Sequence, residues 1–416
     1  MREELYIIYR KILGVLNRIC FYACRIFPIK KNRVAVCTFE GKGGFGCNPK
    51  YIVEELHRRR PDLEFVWLVN NVHRNFPDYI KGVSNSTWSR AYWMSTAKVW
   101  IDNYRVRYGT VKRKGQYYLN TNHYTIGIKR VGMWRGDGFS RMAYLVSKSD
   151  SDMIDEMLSD SSFCDEMYPK GLLYSRPLKK TGSPRCDVLY GDKEKKRKQF
   201  RDKYGLSADA RIVMYAPTFR ESSSNGKRSV HAGRMTLDFK RLLNCLSKRF
   251  GGEWQLCLRL HPQLIESYEI NEYNEICGRL IDETHADDLY ETLAAMDAYI
   301  TDYSSACFEA GLAEIPVFVY ADDLSEYKDT RGGFFWEATA NPDKEIKLSG
   351  EVFQKTTAVF PFQIAHNNDE LERNILLFNE DLYKKAILSF RDDLDIIFDG
   401  KASIRAADLI ISNCRF

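Results

Sequence analysis

Along residues 5–26 the apolar positions recur at helical spacing. Leu5, Ile8, Ile12, Val15, Leu16, Ile19, Ala23 and Ile26 share one side, Lys11, Arg18 and Arg25 stand in heptad register on another, and Pro28 ends the segment. Lys11, Arg18, Arg25 and Asn17 make it too polar to span a bilayer, whereas a basic amphipathic helix suits a headgroup plane; packing on its own domain is the alternative. Beyond it the period changes. A short apolar run at 33–39 reads as a buried strand, followed by a glycine-rich turn and an amphipathic helix at 51–60. Comparable runs at 65–69, 99–102 and 117–120, and again at 212–215, 256–260, 298–300 and 317–320, alternate with helical stretches, the pattern of parallel α/β sheets. The charged stretch 192–203 separates the two series, so the boundary falls near 182–191.

With 416 residues the chain exceeds one ordinary core, and two lobes follow. A net charge of +6 is mild for this length. It argues against a dedicated nucleic-acid binder while permitting attraction to anionic lipid or polymer. Eleven scattered cysteines, without a C-x-x-C pair or zinc spacing and without a cleavable signal pattern, are expected to be reduced thiols of the cytoplasm.

Ligands of open parallel sheets bind beyond the carboxyl ends of the strands, and several motifs stand there. In Ile300-Thr301-Asp302-Tyr303-Ser304-Ser305 a strand runs into hydroxyl residues and a helix at 306–312, a layout fit for an anion, though serine is equally an ordinary N-cap. Arg259 and His261 follow another strand, where a guanidinium fork and an imidazole suit a diphosphate, although a lone histidine is commonly structural. Thr218 and Arg220 follow a third across a proline turn; a surface loop is the alternative there. In the first half His123 comes directly after a strand, the place for a general base on an acceptor alcohol, with Lys129 and Arg130 six and seven residues on to neutralise phosphoryl charge. The segment from Glu40 through Gly46 to Asn48, Pro49 and Lys50 has neither Walker nor dinucleotide spacing, which disfavours an ATPase or dehydrogenase and leaves a substrate loop. No carboxylate metal cage is evident, so no metal is expected, with Asp302 as the one candidate ligand.

In this order the motifs resemble the CDP-glycerol glycerophosphotransferase family of teichoic-acid and capsule synthesis. The likeness runs through Glu40, Asn48-Pro49-Lys50, His123, the segment 181–189, Tyr215 to Arg220, Arg259 to Pro262, Ile300 to Ser305, and 323–333. It implies an α/β chain of GT-B type, with two Rossmann-like lobes whose parallel sheets face a central cleft, behind the N-terminal amphipathic helix. The expected domains are 1–32 for the helix, 33–185 for the acceptor lobe, 186–390 for the CDP-polyol lobe and 391–416 for a helical tail. The resemblance further implies transfer of glycerol phosphate from CDP-glycerol to a lipid-linked or polymeric acceptor with release of CMP. No cofactor is implied, and the expected seat is the cytoplasmic face of the plasma membrane, on an anionic surface. By analogy His123 matches the base, His261 the phosphate-binding histidine, and Ser304 and Ser305 the diphosphate site. Members commonly show Trp-His-Gly at the first histidine; here Asn122-His123-Tyr124 adds bulk beside it, and Cys186 stands where asparagine is usual. CDP-ribitol as donor, a nucleotide-sugar glycosyltransferase of the same fold, and a silent polymer- or membrane-binding component are the rival readings.

Overall fold

A computed structural model describes residues 2–224, 227–231, 236–260, 276, 278–330, 332–337 and 345–414. The chain forms two compact units. Unit 1 comprises Met1–Thr125, Val131–Asp187 and Ile397–Phe416, and unit 2 comprises Ile126–Arg130 and Val188–Ile396.

Unit 1 is built on seven parallel strands: β1 (Lys30–Cys37), β2 (Glu64–Val69), β3 (Ile80–Ser84), β4 (Ala97–Asp102), β5 (Tyr117–Asn120), β6 (Glu156–Ser159) and β7 (Lys179–Lys180). Their order is 3-2-1-4-5-6-7. The central strands are apolar because both faces are covered. Val34, Val36, Trp67 and Ile101 pack with Ile52, Val53 and Leu56 of a helix, and with Ala406, Ala407 and Ile410 of the last helix, Ala402–Asn413. That last helix therefore belongs to the first unit's core, whereas 391–416 was expected as a separate helical tail. A compositional pattern carries no information on which lobe a terminal helix rejoins.

Unit 2 contains β8 (Arg211–Tyr215), the antiparallel hairpin β9 (Arg220–Ser224) and β10 (Lys227–His231), β11 (Trp254–Leu258), β12 (Leu280–Asp282), β13 (Ala298–Thr301), β14 (Val317–Tyr320) and β15 (Ile364–Ala365). The main sheet is parallel, in the order 12-11-8-13-14-15. Renumbered within the unit this is 3-2-1-4-5-6, the dinucleotide-fold order, and unit 1 repeats the same 3-2-1-4-5-6 arrangement before its extra edge strand. Both expected Rossmann-like lobes are present. In each the strand order reverses beside the first strand, at β1/β4 and at β8/β13, and the carboxyl ends there are where a ligand crevice opens.

The N-terminal helix α1 (Arg2–Ala23) turns its small and polar residues inward. Gly14 and Asn17 are buried with Ile7, Cys20 and Phe21, while Leu5, Ile8, Ile12, Leu16 and Ile19 are each between 52% and 62% exposed. Gly14 is required there, because a Cβ would strike the ring of Tyr108. Two further unit 1 helices, α2 (Cys47–Arg59) and α3 (Thr87–Thr96), flank the sheet near this end.

Candidate functional site

At the switch point of unit 1, β1 and β4 end side by side, with Cys37 opposite Asp102. The chain leaves β1 through Phe39, Glu40 and Gly41, all in the left-handed region (φ 48°, 57° and 83°). Two consecutive non-glycine residues there mark a conformation imposed by its surroundings. The Glu40 carbonyl accepts a hydrogen bond from Asn85 Nδ2 (2.8 Å), Phe39 N–H donates to Asn103 Oδ1 (2.8 Å), and the Glu40 side chain is exposed.

His123 follows β5 on an asparagine-built turn. Asn122, at φ 48°, accepts the N–H groups of His123 (2.7 Å) and Tyr124 (3.1 Å) on its own side-chain oxygen. The His123 ring is packed by Phe39, Tyr104 and Tyr124 at centroid distances of 5.2, 5.2 and 4.2 Å. Its Nδ1 lies 2.9 Å from the Asn103 carbonyl oxygen. A carbonyl only accepts, so Nδ1 carries the proton in that bond and Nε2 is the basic nitrogen.

Asn48, expected to face substrate, is instead 2% exposed and ties the turn together. Its Nδ2 donates to the carbonyls of Thr121 (3.2 Å) and Asn122 (2.8 Å), and its Oδ1 accepts from Arg185 N–H (3.0 Å) and Ser183 Oγ (3.3 Å). Arg185 adds a bond from its guanidinium to the His123 carbonyl (2.7 Å). The spacing of the sequence reveals Asn48 and conceals its role, because its partners lie 73 to 137 residues away.

Lys129 and Arg130 belong to unit 2, not to the unit that carries His123. Lys129 pairs with Phe334 in an antiparallel bridge and holds its ammonium 6.0 Å from the Tyr327 ring centre; Arg130 Nε donates to the Phe334 carbonyl (3.2 Å). The chain changes unit between Thr125 and Ile126, a break that the spacing of the sequence does not show.

The switch point of unit 2 gathers Thr218, Arg220, Thr301, Asp302, Ser304 and Ser305. Arg220 forks onto Asp323 (2.5 and 2.9 Å) and also donates to Asp302 Oδ2 (2.9 Å) and the Thr218 carbonyl (2.8 Å). Burial disfavours its charge, but the two carboxylates outweigh burial and hold the guanidinium above its ordinary range. Asp302 Oδ1 accepts the N–H groups of Thr218 (2.9 Å) and Tyr303 (2.6 Å), so its carboxylate is engaged as a bracket between two loops. Thr301 is fully buried, with its hydroxyl on the Ala216 carbonyl (2.7 Å). Tyr303 and Tyr327 stack at 3.9 Å, and Tyr303 Oη donates to Asp323 (2.7 Å). Neither tyrosine nor Asp323 drew a role from the sequence; the signal was their place in the 300–305 and 323–333 motifs.

Arg259 is buried, and its guanidinium donates to the carbonyls of Glu283 (2.8 Å) and Ala286 (2.7 Å). Burial lowers its pKa against the pull of Asp288 and Glu283. Arg220 and Arg259, read as phosphate contacts, thus brace loops. Ser304 and Ser305 are half-buried at the start of the seven-residue helix Ala306–Leu312, and Ser304 Oγ accepts Ala306 N–H (3.3 Å). His261 lies outside the described residues. Among the described residues no three His, Cys, Asp or Glu side chains are grouped to hold a metal ion, and no helix is long and apolar enough to cross a membrane.

A family model described as CDP-glycerol:poly(glycerophosphate) glycerophosphotransferase matches residues 19–412. The teichoic acid poly(glycerol phosphate) polymerase of Bacillus spizizenii is 25% identical over 391 residues, which are 91% of this chain and 94% of that protein. The polymerase of the same name in Bacillus subtilis is 25% identical over 355 residues, covering 83% of this chain and 46% of that protein, so this chain spans less than half of it. Among solved structures, the wall teichoic acid polymerase TagF superposes with a TM-score of 0.76 at 23% identity, over 100% of this chain and 97% of that one, a likeness of fold.

Proposed function

The chain belongs to the CDP-glycerol:poly(glycerophosphate) glycerophosphotransferase family, and from that premise we propose that it transfers glycerol phosphate from CDP-glycerol to a hydroxyl of a polymeric or lipid-linked acceptor. His123 Nε2 takes the acceptor proton as the acceptor oxygen attacks the phosphorus that bears glycerol. The bond from that phosphorus to the bridging oxygen breaks, and CMP leaves with the electron pair. The observation that carries this reading is the Nδ1 bond to the Asn103 carbonyl, which selects the tautomer a general base needs. On the donor side Ser304, Ser305 and His261 are the groups assigned to the diphosphate, while Arg220 and Arg259 hold the loops that present them. Glu40, exposed and next in the chain to Phe39, whose ring packs on His123, is assigned to the acceptor.

The test supplies CDP-glycerol, CDP-ribitol and a UDP-sugar in parallel with a glycerol-phosphate acceptor. CMP release confined to CDP-glycerol, and lost on His123→Ala, is the expected result. UDP release, or undiminished turnover by the variant, refutes the assignment.

The outer face of α1 supports a seat on an anionic lipid surface, since its exposed apolar residues are accompanied by exposed Lys11 and Arg18. Replacing Ile8, Ile12 and Ile19 with serine leaves the fold intact, because all three are outside the core, and is expected to abolish flotation on phosphatidylglycerol vesicles. Equal flotation of the variant and the parent defeats the proposal.

A further inference from the structure

The carboxyl ends of β1 and β4 hold donors that the transfer chemistry leaves unused. Arg90, on α3, is 4% exposed. One of its nitrogens donates to Asn17 Oδ1 of α1 (2.7 Å), but Nε and the second terminal nitrogen are buried without a hydrogen-bond partner among the described residues. Asn103 Nδ2 is a third buried donor without one. The guanidinium of Arg107, half-buried in the loop after β4, makes no hydrogen bond or ion pair among the described residues; burial lowers its pKa, and the exposed Glu40 carboxylate opposes that only in part. Burial first, and then the like charge of Arg107, push the Arg90 guanidinium down to about 9. The neighbouring Asp102 opposes this only in smaller part, and burial raises its own carboxyl well above the usual range.

A buried water can occupy one or two N–H groups, but it cannot offset two like charges withdrawn from bulk solvent. An anion with several acceptor oxygens does both. The site's surroundings say which anion. Asn103 is also the residue whose carbonyl holds His123 Nδ1, so the unused donors adjoin the base that receives the acceptor. They also lie beneath α1, the helix with the apolar outer face. Asn17 of α1 is Arg90's partner and donates to the Tyr108 carbonyl (3.1 Å), and a Cβ on Gly109 would collide with the Gly14 carbonyl, so α1 and the Arg107 loop are packed backbone to backbone.

We propose that Arg90 and Arg107, with Asn103 Nδ2, form a subsite for a phosphodiester of the acceptor chain, set next to the hydroxyl that His123 activates. This rests on the transferase reading above, and it adds that the acceptor is recognised by a charge it already carries. The reaction class that supplies such a substrate is one that installs a phosphodiester on the acceptor beforehand, which includes the product of this enzyme's own preceding turnover.

Binding to the full chain is measured by calorimetry with a short alkyl acceptor ending in a glycerol phosphodiester, and with its uncharged methylphosphonate twin. Parent protein is expected to prefer the charged probe by about tenfold or more, as loss of a charge-assisted bond implies. Arg107→Gln is expected to abolish that preference without weakening the neutral probe, and to raise the unliganded unfolding midpoint, because a like charge beside Arg90 is gone. Arg107→Lys restores part of the preference. Retention of the full preference in Arg107→Gln overturns the proposal. Loss of vesicle flotation in that variant, with acceptor preference intact, assigns the arginines to a lipid headgroup and overturns it too. Calorimetry does not depend on turnover, so absence of CMP release would count against the transferase reading alone.

Discussion

Replacing Asn48 tests whether the turn that presents His123 is held from below. Asn48→Ala removes four hydrogen bonds, of which those to Asn122 O (2.8 Å) and from Arg185 N–H (3.0 Å) have good length. The Asn122 carbonyl retains the Thr121 hydroxyl (3.2 Å), but the Arg185 N–H loses its acceptor in a buried place. Two bonds at about 1 kcal/mol each, plus about 1–2 kcal/mol for the buried donor that loses its acceptor, place the destabilisation at about 3–4 kcal/mol. Asn48→Asp sharpens the argument. It keeps the acceptor facing Arg185 but turns a second oxygen toward two carbonyls, so the folded state prefers the protonated acid and binds that proton more tightly than the unfolded chain does. Stability of this variant must then fall as pH rises above about 4, the unfolded carboxyl value, and go on falling up to its raised folded value. Urea denaturation at pH 5 and pH 8 reads the stability, and saturated CMP release reads the site, where displacement of the base by about 1 Å costs on the order of 100-fold. A loss below about 1 kcal/mol in Asn48→Ala, or a pH-independent loss in Asn48→Asp, refutes the reasoning.

Arg220→Gln strands Asp302 and Asp323 in a half-buried site, and a loss of about 3–5 kcal/mol is expected, shrinking as acid protonates the two carboxylates. Arg220→Lys should recover little, since it cannot fork; a small, pH-flat effect of the glutamine variant would count against the bracket. Burial raises the Asp150 carboxyl to about 7, so the folded state holds a proton that the unfolded chain releases near pH 4. The parent therefore loses stability as pH climbs from about 4 to about 7, by at most about 4 kcal/mol. Asp150→Asn keeps the acceptor for Val106 N–H and the Tyr118 hydroxyl and is expected to flatten that slope in denaturation midpoints taken across the range; an unchanged slope would exclude Asp150 as its source.

The long strands were legible because a parallel strand covered on both faces is a run of apolar residues: the runs at 65–69 and 117–120 became Glu64–Val69 and Tyr117–Asn120 almost unchanged. Short or polar edge strands such as Lys179–Lys180 and Ile364–Ala365 carry no such signature; they exist because a neighbouring edge pairs with them. The same division applies to the site. His123 could be picked out by type and by its place after a strand, and Ser304 and Ser305 by theirs. Whether a cation beyond a strand faces a ligand or braces a loop is decided by partners far along the chain, Asp323 for Arg220 and the Glu283 and Ala286 carbonyls for Arg259, and no local spacing contains them. In α1 the apolar side was visible from its period, but that it faces outward follows from Gly14 and Asn17, whose small size and amide make them the packing face.

Both units place their chemistry at the same topological point, yet they leave their arginines in opposite states. At β8/β13 the Arg220 fork is held by two carboxylates and a carbonyl, and among the described residues both terminal nitrogens of Arg259 in the same unit bind carbonyls, so these bonds brace loops. At β1/β4 the reverse holds, since Arg90 spends one nitrogen on Asn17 and Arg107 spends none among the described residues. Saturated guanidinium groups supply rigidity, and unsaturated ones supply affinity, because only the latter gain hydrogen bonds when an anion arrives. A donor diphosphate that must be released as CMP at every turnover suits hydroxyls on rigid loops. An acceptor that is to be kept while its end is extended suits a pair of charges that nothing else satisfies.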